Sequence, residues 1–445
     1  MSTLPVARNL EQFPDLHPPF DAQSAVIEAN RCLFCFDAPC TAACPTHIDV
    51  PRFIKKIASG NLRGSALAIL DANILGLSCS RVCPVDVLCQ GACVMHKHHQ
   101  MPIEIGRLQR HAMETFHDRG ALIPPSWIAA ADTGRCVACI GGGPASLACA
   151  AELRRHGFRV TIFDDRALPG GLNTYGVAEY KLRPADSLRE VAFVHSLGVE
   201  FLQARVGAGV ALDQLESEYD AIFIGVGLGA MEKLGIPGED RLGVIDALHF
   251  IERYKTSEDF TVAGRVVVIG GGNTAIDAAN AASRLGAAEV HLVYRRTENQ
   301  MPAFSFEYAH AKAAGVRFHW LAQPVEILEH SVRFVETRLT EPDANGRREA
   351  MPLEGTHFEL PCDLVIPALG QSRFFADLCE SRGIRLNRRS IVVDRLTGCT
   401  ANPRYYAGGD CVNGGREVVD AVADGKRAAE AIALAFPAKQ EAVNG

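Results

Sequence analysis

Three features that would place the chain at a membrane, on nucleic acid or outside the cell are missing from its sequence. Apolar runs such as 431–436 are too short to cross a bilayer. The 52 Asp and Glu outnumber the 45 Lys and Arg, and a net charge of −7 argues against nucleic-acid binding. The first eight residues contain no apolar signal segment, and no lipidation motif is found. We therefore predict a reduced, cytoplasmic protein with no membrane or nucleic-acid partner.

The sequence also has no recognisable carboxylate pair or Ser/His/Asp set for acid–base catalysis, but it is rich in cysteine. Of its 15 cysteines, eight lie in two groups. The first group has the sequence CLFCFDAPCTAACP and runs from Cys32 to Pro45. The second has the sequence CSRVCPVDVLCQGAC and runs from Cys79 to Cys93. We therefore expect cysteine sulfurs to be the main ligands of a bound group in this chain.

Closely spaced thiolates with a proline after the last one are typical of iron–sulfur clusters. By this pattern Cys32, Cys35 and Cys40 bind one cluster, and Cys44 reaches a second. A disulfide framework would need an oxidising compartment, and structural zinc sites usually use paired Cys-x-x-Cys turns. The segments 21–31 and 61–72 have helical spacing, so the cysteines are predicted to lie in a small helical domain with little apolar core.

A dinucleotide-binding fingerprint follows this domain. The apolar run Cys136–Ile140 predicts a buried parallel strand, and Gly141 and Gly143 open the helix behind it. A second strand ends at Asp164, whose carboxylate can accept hydrogen bonds from a ribose. Ser146 replaces the third glycine of the motif, a change that should only loosen the packing of helix on strand.

The fingerprint recurs at 266–277, and a further strand–turn–helix pattern closes the chain at 405–417. In the second copy Arg295 and Arg296 stand where the first copy has Asp164. Arginines at this position suit the 2′-phosphate of NADP, although they could simply be solvated. Two fingerprints predict two bound dinucleotides, with the second unit inserted into the first.

Several motifs together resemble a known family. These are the two cysteine groups and the segments 170–181, 270–277, 293–296 and 407–410. The chain resembles the flavoprotein electron-input module shared by glutamate synthase small subunits and dihydropyrimidine dehydrogenases. The likeness is greatest to the electron-input subunits of bacterial NAD-dependent dihydropyrimidine dehydrogenases. It implies an α/β fold with an N-terminal α-helical iron–sulfur domain (1–130), an FAD-binding Rossmann-type doubly wound domain (131–254 and 366–445) and an inserted NAD(P)H-binding domain (255–365).

The resemblance also implies a set of binding residues. One [4Fe–4S] cluster is expected on Cys32, Cys35, Cys40 and Cys93, and a second on Cys44, Cys83, Cys89 and Gln109. FAD is assigned to Gly141, Gly143, Asp164, Gly171, Leu172 and Asp410. The nicotinamide nucleotide is assigned to Gly270, Gly272, Asn273, Thr274, Arg295 and Arg296. Cys79 is left over as a structural thiol, and glutamine rather than glutamate at 109 favours the pyrimidine branch.

The function implied is electron input: NAD(P)H reduces FAD, and single electrons pass through two clusters to a partner subunit. That partner is expected to carry an FMN site at which uracil or thymine is reduced to the 5,6-dihydropyrimidine. The resemblance favours NADH, whereas the two arginines favour NADPH. The alternatives are a glutamate synthase small subunit or a related reductase, a redox sensor, and a disulfide reductase. A disulfide reductase would need a Cys-x-x-Cys pair near 301–307, which is not there.

Overall fold

The computed structural model describes residues 12–124, 127, 132–257, 259–343, 346, 348–372, 379–387 and 390–439. Within these residues a helical region is followed by a first α/β unit, and a second α/β unit interrupts the first. The predicted fold class is confirmed. No helix in these ranges is long and apolar enough to cross a membrane.

The N-terminal region consists of short helices joined by the turns that carry the cysteines. Its helices are α1 (Ala22–Asn30), α2 (Pro39–Ala42), α3 (Val50–Ala58), α4 (Leu62–Leu70), α5 (Gly76–Val82) and α6 (Ile105–Asp118). Asp21, Asp49 and Asn61 cap the first turns of α1, α3 and α4, because each side chain accepts a backbone N–H there. These side chains set where three of the helices begin.

The helical region has a larger apolar core than the sequence predicts. Phe53, Ile57 and Ile69 are fully buried, and so is Leu108 on α6. These residues belong to a core that continues into the first α/β unit. The expectation of little apolar core was wrong, because the helical region buries its apolar faces partly against the neighbouring unit.

The first α/β unit is built on a five-stranded parallel sheet. Its strands are β1 (Cys136–Ile140), β2 (Arg159–Asp164), β3 (Glu200–Gln203), β4 (Ala221–Ile224) and β14 (Tyr405–Ala407), in the order β14-β4-β1-β2-β3. Its helices are α7 (Pro144–Arg155), α8 (Leu172–Tyr175), α9 (Pro184–Ser196), α10 (Leu212–Glu218), α14 (Asp410–Asn413) and α15 (Val418–Ala435). The strand from the end of the chain therefore joins a sheet begun by the first fingerprint.

The second α/β unit lies between β4 and β14 in the sequence. Its four-stranded parallel sheet has the order β11-β5-β6-β7, with β5 (Arg265–Ile269), β6 (Glu289–Tyr294), β7 (Arg317–Trp320) and β11 (Leu364–Pro367). Its helices are α11 (Ala247–Thr256), α12 (Asn273–Arg284) and α13 (Ser305–Ala313). An antiparallel sheet of β8 (Ala322–Ile327), β9 (Ser331–Leu339) and β10 (Ala350–Pro361) packs beside it, and β12 (Leu386–Asn387) pairs with β13 (Ser390–Ile391).

The domain limits 255 and 365 stay predictions. Helix α11, which packs on α12, already begins at Ala247, and β11 ends at Pro367. Both predicted strand–glycine–helix units are present, with α7 beginning at Pro144 and α12 at Asn273.

Candidate functional site

Four of the predicted thiol ligands line a single cavity beside the start of α3. The cavity is lined by Cys32, Cys35, Cys40 and Cys93, together with apolar side chains that include Val50, Ile54, Met95, Ile103 and Ile105. Burial raises the pKa of the Cys40 thiol to about 11, and the neighbouring Cys32 and Cys93 add to the rise. A metal centre bound here must displace these protons. Four thiols around an apolar cavity fit the donor set of a [4Fe–4S] cluster.

Cys44, Cys83 and Cys89 form a second group of thiols. A hydrogen bond with Cys79 and burial hold the pKa of Cys83 well above its usual range, and the charges of Cys89 and Cys44 contribute. Burial raises the pKa of Cys89 to about 12, with contributions from Cys44 and from Cys40 of the first group. The two groups therefore lie next to each other, as two adjacent clusters would require.

Gln109 projects from α6 and is buried beside the start of α5. Its Nε2 donates to the carbonyl oxygen of Gly76 at 2.7 Å. This bond occupies the amide nitrogen and leaves Oε1 as the atom that could serve as a ligand. Gly76 begins the helix that carries Cys79 and leads to Cys83. The structure thus brings Gln109 to the helix of the second thiol group, and its role as a ligand stays a prediction.

Cys79, which was predicted to be a structural thiol, lies next to Cys83 of the second thiol group. Its sulfur accepts from Asn73 Nδ2 at 3.2 Å and is a hydrogen-bonding neighbour of Cys83. Across the described residues, no three His, Cys, Asp or Glu side chains converge tightly enough to hold a single metal ion.

The first glycine turn lies at the carboxyl end of β1. A Cβ on Gly141 would lie 2.7 Å from the Gly225 carbonyl oxygen, so only glycine fits at its φ of +92°. Gly143 precedes α7, whose first turn has no side-chain cap, so its N–H groups can face an anion. Asp164 accepts the Gly142 N–H at 2.5 Å, and burial raises its carboxyl pKa. This arrangement fits the pyrophosphate and ribose of a dinucleotide.

Ser146 does not loosen the packing of α7. The residue is fully buried, and a Cβ on Gly225 at the end of β4 would lie 2.2 Å from Ser146 Oγ. Gly225 has no side chain, so the Ser146 hydroxyl fits between α7 and β4. A glycine at the third motif position would usually provide this close packing. The compensation could not be read from the motif, because Gly225 is distant in the sequence.

Two further predicted residue groups meet this glycine turn. Gly170 N–H donates to the Gly142 carbonyl at 2.8 Å, and a Cβ on Gly171 would lie 2.8 Å from Gly143 Cα. Leu172 follows with its side chain 39% exposed, free to contact a ligand. Across the sheet, Asp410 begins α14 directly after β14, and burial raises the pKa of its carboxyl group. The predicted FAD residues therefore gather at the carboxyl edge of one sheet.

The second glycine turn has more open space. A Cβ on Gly270 would lie 2.3 Å from the Ala368 carbonyl oxygen, whereas one on Gly272 would meet nothing within 4 Å. Asn273 and Thr274 form the uncapped first turn of α12, and Asn273 Oδ1 accepts the Phe304 N–H at 3.0 Å. The space before an uncapped helix start fits the pyrophosphate of a second dinucleotide.

Arg295 and Arg296 follow β6 at the same edge of this sheet. Arg295 is exposed, and Arg296 is half-buried with a buried Nε that has no hydrogen-bond partner among the described residues. Within that part of the chain, no carboxylate forms an ion pair with either guanidinium. Two unpaired cations here are a donor set for a phosphate group.

A buried ion cluster joins the two α/β units, and the sequence patterns did not predict it. Lys181 Nζ lies 2.7 Å from both Asp277 Oδ1 on α12 and Glu307 Oε1 on α13. The Tyr180 hydroxyl also donates to Asp277, at 2.6 Å. Burial raises the pKa of Glu307 to about 7, although Lys181 opposes that rise. The sequence indication was that Lys181 and Asp277 each end one of the family-like segments.

A second unpredicted contact joins the helical region to the first α/β unit. Glu190 on α9 accepts from the backbone N–H groups of Leu77 and Ser78 and from the Ser78 hydroxyl. Arg81 Nε, on the same helix α5, donates to the Lys181 carbonyl at 2.9 Å. These bonds hold the helix of the second thiol group against the unit that carries the predicted FAD residues.

Comparison with protein families agrees with this division of the chain. Residues 9–121 match the family model for domain II of dihydropyrimidine dehydrogenase, which carries a 4Fe–4S cluster. Residues 135–425 match the model for pyridine nucleotide-disulphide oxidoreductases. The chain belongs to the pyridine nucleotide-disulphide oxidoreductase family. It is therefore an oxidoreductase with FAD- and NAD(P)H-binding domains and an N-terminal iron–sulfur domain, whereas the number of clusters and the ligand residues stay predictions.

Among curated relatives, the chain is 38% identical to the NADP(+)-dependent formate dehydrogenase subunit beta of Moorella thermoacetica, over 89% of its length. It spans 59% of that protein. It is 35% identical to the glutamate synthase [NADPH] small chain of Escherichia coli K12, covering 95% of this chain and 93% of that one. It is 33% identical to the NAD-dependent dihydropyrimidine dehydrogenase subunit PreT of Escherichia coli O157:H7, with 94% and 96% covered.

Among solved structures, the chain resembles Mycobacterium tuberculosis FprA in complex with NADPH. The TM-score is 0.56 at 22% identity, and the match covers 68% of this chain and 85% of FprA. At this identity the likeness supports the fold of the two α/β units. The suspected family is thus confirmed, and the relatives within it carry names of different enzymes.

Proposed function

We propose that this oxidoreductase is an electron-input subunit, which takes electron pairs from NAD(P)H and delivers single electrons to a partner protein. The observation that carries the proposal is the direct attachment of the second thiol group to the FAD-binding unit. Glu190 and Arg81 make this attachment through α5. A sensor or scaffold would not need two dinucleotide sites beside adjacent thiol groups.

The residues present fit the cofactors that this role requires. When bound, FAD would accept a hydride and pass on its two electrons one at a time, as iron–sulfur centres require. The glycine turns at Gly141 and Gly270 lead into α7 and α12, whose uncapped first turns would hold the two pyrophosphates. Cys44 and Cys93 are buried and the other predicted thiol ligands are partly buried, and the carboxamide of Gln109 adds no negative charge to its group.

The unpaired arginines favour NADPH as the electron donor. Arg295 and Arg296 have no carboxylate partner within the described residues, so their charges are available for a 2′-phosphate. Two of the three relatives reported above have NADP(+) or NADPH in their names, whereas PreT is named NAD-dependent. We therefore propose NADPH, in contrast to the NADH expected from the resemblance to the pyrimidine enzymes.

For the destination of the electrons, we propose a partner subunit that reduces uracil or thymine. Support comes from Gln109, since glutamine at this position resembles the pyrimidine branch, and from the similarity to PreT over nearly the whole chain. The test is to purify the chain anaerobically with its co-purifying protein and to follow nucleotide oxidation with uracil. If the complex leaves uracil unreduced, this destination is wrong.

The second candidate is the small subunit of a glutamate synthase. It is favoured by 35% identity to the E. coli small chain, with at least 93% of both chains covered. The same complex would then oxidise NADPH when given glutamine and 2-oxoglutarate instead of uracil. Nucleotide-dependent bleaching of the flavin in the chain alone tests the electron-input role itself. Protein with neither iron nor acid-labile sulfide would contradict that role.

A further inference from the structure

Exposed apolar side chains surround the loop that carries the first cysteines. Phe36 is 101% exposed, Met101 is 76% exposed and Leu33 is 55% exposed. Leu33 also lines the cavity of the first thiol group. Arg31, the residue before Cys32, donates to the Met101 carbonyl at 2.6 Å, which brings Met101 to the same loop. We call this surface the thiol-loop face, and large apolar side chains grouped in this way mark an interaction site.

Positive charge borders the thiol-loop face. Arg52 and Lys55 project from α3 beside the thiol cavity, and Lys97 lies two residues after the cavity-lining Met95. All three are exposed, and none forms an ion pair with any described residue. Asp37 and Asp49 are the exposed acids of these segments, and Asp49 is engaged in capping α3. A cationic border on a chain with net charge −7 indicates a partner of opposite charge.

The thiol-loop face lies beside the first thiol group. Glu190 and Arg81 hold α5, and with it Cys83, against that unit. The first thiol group adjoins the exposed loop instead. If electrons enter from the FAD-binding unit, as the proposed function requires, they would first reach the centre held by the second thiol group and would leave from the centre held by the first.

We propose that the thiol-loop face docks an electron-accepting partner protein whose own redox centre is bordered by acidic side chains. The proposal rests on the proposed function. One electron would cross in each encounter: the iron–sulfur centre that the first thiol group would hold is oxidised by one electron, the partner's centre is reduced by that electron, and no bond forms or breaks. A second copy of this chain is a poor occupant, because it would bring the same cations face to face.

The test measures how tightly this chain binds an acidic [2Fe–2S] ferredoxin, which serves as the probe. Both proteins are kept oxidised. The charge reversals Lys55→Glu and Lys97→Glu, combined in one chain, should weaken ferredoxin binding at low salt by about tenfold or more. Phe36→Ser should weaken it by about threefold, since it removes a central apolar contact. Two matched controls should stay within about twofold of the wild type. One is Lys312→Glu, because Lys312 lies over the Tyr308 ring as Lys55 lies over the Phe34 ring. The other is Leu242→Ser, because Leu242 is 104% exposed.

A second probe, of opposite charge, tests whether binding depends on the charges at the thiol-loop face. Basic cytochrome c should bind the Lys55→Glu, Lys97→Glu variant more tightly than the wild type, the reverse of the ferredoxin result. If that variant binds ferredoxin as the wild type does, or if Lys312→Glu weakens binding equally, the docking proposal is wrong. NADPH-dependent reduction of ferricyanide is measured alongside. Failure of that reaction contradicts the electron-input role, whereas the binding results judge the docking face independently.

Discussion

Replacing Arg295 and Arg296 with alanine should convert a preference for NADPH into indifference between the two nucleotides. A hydrogen bond to a charged group contributes about 1.5–3 kcal/mol, which corresponds to roughly 10- to 150-fold in kcat/KM. Arg295 is exposed, so solvent screening places its effect at the lower end, near tenfold. Arg296 is half-buried with an unpartnered Nε, which places its effect higher in that range. The double variant should lose more than either single variant.

The assay is steady-state reduction of ferricyanide with NADPH and with NADH. Only kcat/KM for NADPH should fall, because NADH has no 2′-phosphate. Arg317→Ala is the matched control, since Arg317 begins β7 at the opposite edge of the same sheet. Equal losses with both nucleotides would mean that the arginines contact a part common to NADH and NADPH. Unchanged NADPH kinetics would show that both arginines are simply solvated.

Three further changes test the other sites. Gln109→Cys should lower the potential of one cluster, because a thiolate adds negative charge; an unchanged redox titration would contradict this ligand. Lys181→Met leaves two buried carboxylates uncompensated, at a cost of about 3–5 kcal/mol, so the melting temperature should fall. An unaltered melting curve would mean that the ion cluster contributes little. Gly171→Ala places a Cβ 2.8 Å from Gly143 Cα and should lower the FAD content of purified protein, whereas full FAD occupancy would exclude this close approach.

The strands that start each dinucleotide unit could be predicted from local sequence. Cys136–Ile140 is both the predicted and the observed first strand, and the helix after it begins next to Gly143. Apolar runs followed by glycines restrict the backbone locally, so their outcome depends on neighbouring residues alone. The helices near the cysteines were predictable for the same reason, since Asp49 and Asn61 cap them within one turn.

Contacts between distant segments were not predictable from these patterns. Glu190 bonding to the start of α5, and Lys181 lying between Asp277 and Glu307, depend on how separate units pack. Burial then decides the chemistry of such groups, as the raised pKa of Glu307 shows.

The sequence by itself determined which residue types are available: eight clustered thiols, two glycine turns and two arginines in place of an acid. The family resemblance already implied that Cys93 and Cys32 bind one cluster, and both line one cavity. Only the tertiary structure decided that Cys79 lies next to Cys83. It also decided that Phe36 stays exposed beside that cavity. The reason is physical: short-range backbone preferences are written in adjacent residues, whereas the meeting of remote side chains depends on how helices and sheets pack.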